Sequence, residues 1–155
     1  MKKVLLVFCN ALLLVMFFCF GQCKKKYTPL TITLYNKPLG TIQNYIQGKW
    51  KCHYGKGGIA ANYVQYYNDF YWTFSANNRI QQLYNGSIVT DTTINWVWTW
   101  NSGTWLNYGD STFIMNFYDK LGYPFDYVVD RISNDTLILH DDAADAVFYH
   151  LTKSN

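Results

Sequence analysis

From Gly48 onward, apolar and polar positions alternate with a period of two, interrupted at short intervals by Asn, Gly, Ser and Asp. Successive side chains of a strand point to opposite faces, so this period marks strands with one buried face. Runs of this kind cover residues 48–54, 63–75, 79–85, 87–93, 94–101, 111–119, 124–132, 136–141 and 146–152. Asn77-Asn78, Asn85-Gly86, Asn101-Ser102-Gly103, Lys120-Leu121-Gly122, Ser133-Asn134-Asp135 and Asp141 to Asp145 separate them. Asn-Gly suits the tight hairpin turn in which both central residues take positive φ. Short connections make each strand the antiparallel neighbour of the next. The pattern predicts an all-β fold, a meander of about eight or nine strands that closes into an up-and-down barrel or packs as a sandwich. Upstream, Leu30 to Leu34 alternates and can add an edge strand, and Leu39 to Ile46 reads as a short helical turn entered after Pro38.

The alternation sorts the large rings onto one face. Phe70, Trp72 and Phe74 share a face, as do Trp96, Trp98 and Trp100, and Phe113, Met115 and Phe117. Tyr127 with Val129, Leu137 with Leu139, and Tyr149 with Leu151 continue it. The polar residues Asn95, Thr99 and Asn101 stand opposite the three indoles, which points the indoles inward. An interior of this size is either filled by its own side chains or holds one small ligand. Trp72, Trp96, Trp98, Trp100, Phe113, Met115 and Phe117 are the candidate ligand wall.

Composition strengthens the all-β reading: 19% of residues are aromatic, and all ten acidic residues are Asp. Glu favours helices, whereas Tyr, Trp, Phe and Thr favour pleated surfaces.

Residues 1–22 differ in kind. Lys2 and Lys3 precede an almost wholly apolar run from Val4 to Phe20, the arrangement of an export signal. Two cuts fit the junction from Phe20 to Lys26. One resembles bacterial lipoprotein processing and leaves Cys23 as an acylated first residue. The other is ordinary cleavage after Gly21. The adopted reading is lipidation at Cys23, with residues 23–41 as tether and linker and residues 42–153 as one barrel domain. The protein is then expected in the cell envelope, anchored to a membrane, or secreted or periplasmic if Cys23 is not acylated. Cys9 and Cys19 leave with the signal, so Cys52 is a lone buried thiol under the first cut. Under the second it can pair with Cys23.

Charge excludes one class of partner. Residues 27–155 carry 8 basic against 10 acidic residues, a balance of −2, so no basic face for nucleic acid remains. Lys24 to Lys26 would lie beside the anchor, near lipid headgroups.

Motifs for chemistry are weak throughout. Gly55-Lys56-Gly57-Gly58 lacks the downstream helix that a phosphate loop needs, and reads as a loop at a barrel mouth. His53, His140 and His150 share no metal-ligand spacing, and His140-Asp141-Asp142 with Asp145 reads as a polar hairpin. No G-x-S-x-G elbow or paired nucleophile and base is present, so no catalytic residue, metal or cofactor is expected.

Gly48-Lys49-Trp50, after the short helical turn, resembles the G-x-W motif of lipocalins. Tyr71-Trp72-Thr73-Phe74 before an Asn-Asn turn, and Asn134-Asp135-Thr136-Leu137-Ile138-Leu139 before an aromatic closing strand, are similar to lipocalin-like domains of bacterial envelope lipoproteins. The resemblance implies a lipocalin-like barrel with Trp50 packed at its closed end. In that family an Arg near the last strand commonly packs across this Trp, whereas here the last strand offers His150 and Lys153. The implied activity is non-covalent binding of a small apolar or amphipathic molecule. The alternative is a non-enzymatic protein- or glycan-interaction module of an envelope assembly, its aromatic face turned outward.

Overall fold

Period-two alternation becomes strand wherever the turn residues allow it. The computed structural model describes residues 27–58, 63–100, 111–143 and 145–154, with Trp100 described by its backbone alone. In chain order the elements are β1 (Ile32–Thr33), α1 (Leu39–Ile46), β2 (Gly48–Gly57), β3 (Val64–Tyr66), β4 (Phe70–Phe74) and β5 (Arg79–Tyr84). Then come β6 (Ser87–Thr93), β7 (Asn95–Trp100), β8 (Ser111–Tyr118), β9 (Pro124–Ser133), β10 (Thr136–Asp141) and β11 (Val147–Lys153). Residues 1–22, expected to be an export signal, and Cys23 lie outside the described residues.

The strands form one antiparallel sheet in the order β6-β5-β4-β2-β11-β10-β9-β8-β7. β2 pairs with β4 on one side and with β11 on the other, from Val147↔Gly57 to Lys153↔Trp50, so first and last strands seal the meander. The sheet's two ends, β6 and β7, are joined in the chain by Ile94, and β6 comes round to the far end of β8, where Lys120 N–H, just past β8, donates to Val89 O at 3.3 Å. The result is the expected all-β up-and-down barrel, nearly closed and nine strands around. Asn85 (φ 48°) with Gly86 (φ 75°), and Asn134 (φ 49°) with Asp135 (φ 62°), take the positive φ values that tight hairpins need.

Two strand boundaries differ from the pattern. The Gly55–Gly58 segment is not a loop, because β2 runs on to Gly57. Gly57 has φ +131°, and a Cβ there would stand 2.2 Å from Ala146 O, so only glycine lets β2 lie this close to the start of β11. The 63–75 run is two strands. At the break, Tyr67 N–H donates to His53 O at 2.9 Å, and Asp69 O accepts from Asn85 N–H at 2.8 Å.

One end of the barrel is plugged. Ile42 and Ile46 of α1 are buried with Leu34, Trp50, Ile80, Ile132 and Leu137 in a single cluster. The Trp50 indole N–H donates to Ile46 O at 2.6 Å, tying the first long strand to the helix C-terminus. The Lys153 ammonium stands 5.3 Å over the Trp50 ring, a cation–π arrangement in the place where the resemblance leads one to look for an Arg. Gly48 makes room for it: at φ +118° its Cβ would meet Lys153 Cε at 3.2 Å. The glycine, the tryptophan and the closing-strand cation are therefore one packing unit.

The packed structure also takes in residues assigned to the 23–41 tether. Beyond the point where β8 leaves β9, β1 takes its place, with Ile32↔Ile132 and Thr33↔Arg131 in register. Leu34 and Tyr35 N–H both donate to Asp130 O at 2.8 Å. Tyr35 closes a small outer cluster with Ile114 and Val128, which is why both faces of β9 are buried there. Cys52 is a free thiol, fully buried, and burial pushes it up to about 12, which leaves it a core residue without reactivity.

Candidate functional site

At the end opposite α1, the barrel interior opens into a cavity of about 330 Å³. Strand polarity puts it there. β4 begins, β5 ends and β9 begins at this end, so Phe70, Tyr84, Phe125 and Tyr127 meet around one space with Tyr149 and Trp72. Tyr67 joins them because the break between β3 and β4 turns it inward. The rings form a continuous set at edge-to-face angles: Phe70–Tyr84 at 5.5 Å, Trp72–Tyr127 at 5.1 Å and Tyr127–Tyr149 at 5.6 Å between centroids.

The polar groups of the wall are few. Thr90 Oγ1–H donates to Gln82 Oε1 at 2.6 Å, and both residues are buried. The Tyr127 and Tyr149 hydroxyls act on each other across the wall. Burial holds the phenols of Tyr127 and Tyr149 well above the usual tyrosine range and pushes Tyr67 up to about 12, so all three stay neutral. The Trp72 indole N–H is buried without an acceptor, on a side chain with no solvent exposure. A buried donor left unpaired is costly, and here it belongs to the residue at the inner limit of the cavity.

A second recess, of about 240 Å³, shares Phe125, Tyr127 and Tyr149 with the cavity and continues to Asp126, Asp141, Asp142 and Ala143. Asp141 has its carboxyl pushed up to about 6 by burial, against the stabilising Val147 N–H and with Asp145 adding to the rise. Asp126 accepts from Asn116 Nδ2 at 2.6 Å. Asp119, on the cavity wall, accepts the N–H groups of Leu121 and Tyr123 at 2.8 and 2.9 Å. Among the described residues, no three His, Cys, Asp or Glu side chains come together as a metal site.

The candidate wall residues are placed unevenly. Trp72 lines the cavity. Met115 and Phe117 are buried in the core below it, with Phe117 stacked at 5.8 Å on Tyr127. Phe113 and Trp96 are half-buried against the same core, and the Trp96 indole N–H is a second buried donor without a partner. Trp98 is 54% exposed and rests edge-on against Phe113 at 4.7 Å. It does not share the inward position of Trp96, because β7 is the sheet's edge strand and Val97 on its other face is exposed too. The Trp100 side chain lies outside the described residues.

Tyr67, Phe70, Gln82, Tyr84, Val89, Thr90, Asp119, Phe125, Tyr127, Tyr149 and the acidic recess line the two spaces without belonging to the candidate ligand wall, although Phe70, Tyr127 and Tyr149 were placed on the inner face. Among the polar ones, two carry a period-two signal. Gln82 lies two residues from buried Ile80, and Asp141 two residues from buried Leu139, so each is a polar group on an inner face. No protein family, curated protein or solved structure matches this chain.

Proposed function

We propose that the chain is an exported, lipid-anchored, lipocalin-like protein of the cell envelope that binds a small apolar or amphipathic molecule non-covalently. The observation that carries the reading is the aromatic cavity of about 330 Å³ at the open end, with Trp72 among its lining residues. Sites for small ligands are mostly apolar concavities of about 300–1,000 Å³ with a few polar groups that orient the ligand. Burial of ring and chain surface supplies the affinity. The Gly48–Trp50–Lys153 unit supports the lipocalin resemblance.

The test is native mass spectrometry of the protein after incubation with a lipid extract, read beside tryptophan fluorescence. A retained small-molecule mass and a changed emission are expected. No adduct and an unchanged spectrum would sink the carrier reading. They would favour instead an interaction module that uses exposed Val97 and Trp98 on the edge strand. For the anchor, Cys23→Ser is expected to release the protein from membranes, and undiminished membrane association would count against acylation.

A further inference from the structure

The lining of the site carries a sign of charge as well as a shape. The cavity and the recess that opens from it present Asp119, Asp126, Asp141 and Asp142, and no Lys, Arg or His among the described residues. The internal segments 59–62, 101–110 and 144 contain no basic residue either, so no loop in the barrel domain can bring one in from there. The described ion pairs, Arg79–Asp91 and Arg131–Asp130, involve neither Asp126 nor Asp141. An anionic head entering here would meet the like charge of these two carboxylates and lose its hydration. A cation would meet carboxylate oxygens and the aromatic rings of Phe125, Tyr127 and Tyr149, the three rings common to both spaces.

Resting on the carrier reading, we infer that the ligand is an organic ammonium amphiphile, its apolar part in the aromatic cavity and its positive head in the recess lined by Asp126 and Asp141. The rings set a limit on the head. A small metal ion needs converging oxygen ligands, which the described residues of the recess do not supply, whereas an alkylated ammonium is held by rings and one or two carboxylates. Asp141 is the principal partner because it is the more buried of the two. Its carboxyl, held up to about 6 by burial, is ionised at neutral pH and becomes a stronger acid when a cation sits beside it. Binding near pH 6 then releases a proton.

Three probes with the same chain length separate the possibilities: decyltrimethylammonium, decanol and decanoate, titrated calorimetrically into the full chain. The ammonium is expected to bind about tenfold more tightly than decanol, and decanoate more weakly than either. Lowering the pH from 7.5 to 5, or raising the salt, shrinks the preference. Asp141→Asn removes most of the preference of the ammonium over decanol, and Asp126→Asn, at a more exposed position, removes a smaller part. Equal or tighter binding of decanol or decanoate overturns the charge assignment and leaves the carrier reading standing. No binding of any of the three overturns both.

Discussion

Trp50→Phe is expected to destabilise the protein by about 3 kcal/mol, and Trp72→Phe by about 1 kcal/mol or less. Both indoles are buried, at 2% and 0% exposure, and both substitutions remove the same ring volume. The difference lies in the N–H. At Trp50 it satisfies Ile46 O, so its removal leaves a buried helix-end carbonyl unpaired, at about 1–3 kcal/mol. The substitution also weakens the hold on Lys153, whose ammonium stands over the larger ring. At Trp72 the N–H has no acceptor, so phenylalanine relieves a desolvation penalty that offsets part of the lost packing. Urea midpoints of the two variants decide the matter. Equal losses would mean that Trp72 N–H is satisfied in solution. The order reverses for function: Trp72→Phe is expected to weaken ligand uptake, because it removes ring surface from the wall of the cavity. Trp50→Phe leaves uptake unchanged wherever the protein remains folded.

These two residues also mark what the sequence could and could not disclose. Trp50 was legible because its role is local: the helical turn, Gly48 and the first strand are contiguous, and the closing-strand cation was one of two candidates. The barrel was legible for the same kind of reason, since period-two runs and Asn-Gly turns act between chain neighbours. The position of Trp98 was not legible. Alternation with Asn95, Thr99 and Asn101 fixes which side chains share a face of β7, but not whether that strand lies inside the sheet or at its edge. That depends on the pairing of β2 with β11, which places the unpaired ends at β6 and β7. The cavity wall was half legible. Tyr127, Tyr149 and Phe70 follow from the period, whereas Tyr67 is inside only because His53 O captures its N–H and breaks the strand. Asp141 is misread from composition for a specific reason. It ends a strand and begins a run of turn residues, and composition assigns such a residue to solvent. The alternation from Leu137 and Leu139 carries it instead to the inner face at the mouth.

Asp141→Asn is expected to make the protein more stable at pH 7, by about 1–2 kcal/mol, and no more stable at pH 4. The sign comes from the direction of the shift. Burial raises the carboxyl up to about 6, so between roughly pH 4 and pH 6 the native state holds a proton that the unfolded chain has released. Stability therefore falls as pH rises through that window, and the full penalty is present above it. A shift of this size would correspond to about 3 kcal/mol, reduced here because the carboxyl keeps partial access to water through the recess. The groups that face it do not relieve the charge. Asp145 and neutral Tyr149 come from the β11 side, Asp126 and neutral Tyr127 from β9, neutral Tyr67 from the break before β4, and Asp142 comes next in the chain. His140, its other chain neighbour, is itself held below the usual histidine range by burial and carries no charge at pH 7 to compensate. Asparagine keeps an oxygen for the Val147 N–H and cannot ionise, so its stability stays flat across the window. Denaturant midpoints of both proteins at pH 4, 5, 6 and 7 test this, and parallel curves would refute it. A carboxylate that weakens its own fold at neutral pH is the pattern of a residue kept for what it binds. Adding decyltrimethylammonium at pH 7 should accordingly narrow the gap, because it stabilises the wild type by neutralising Asp141 and gives the variant much less.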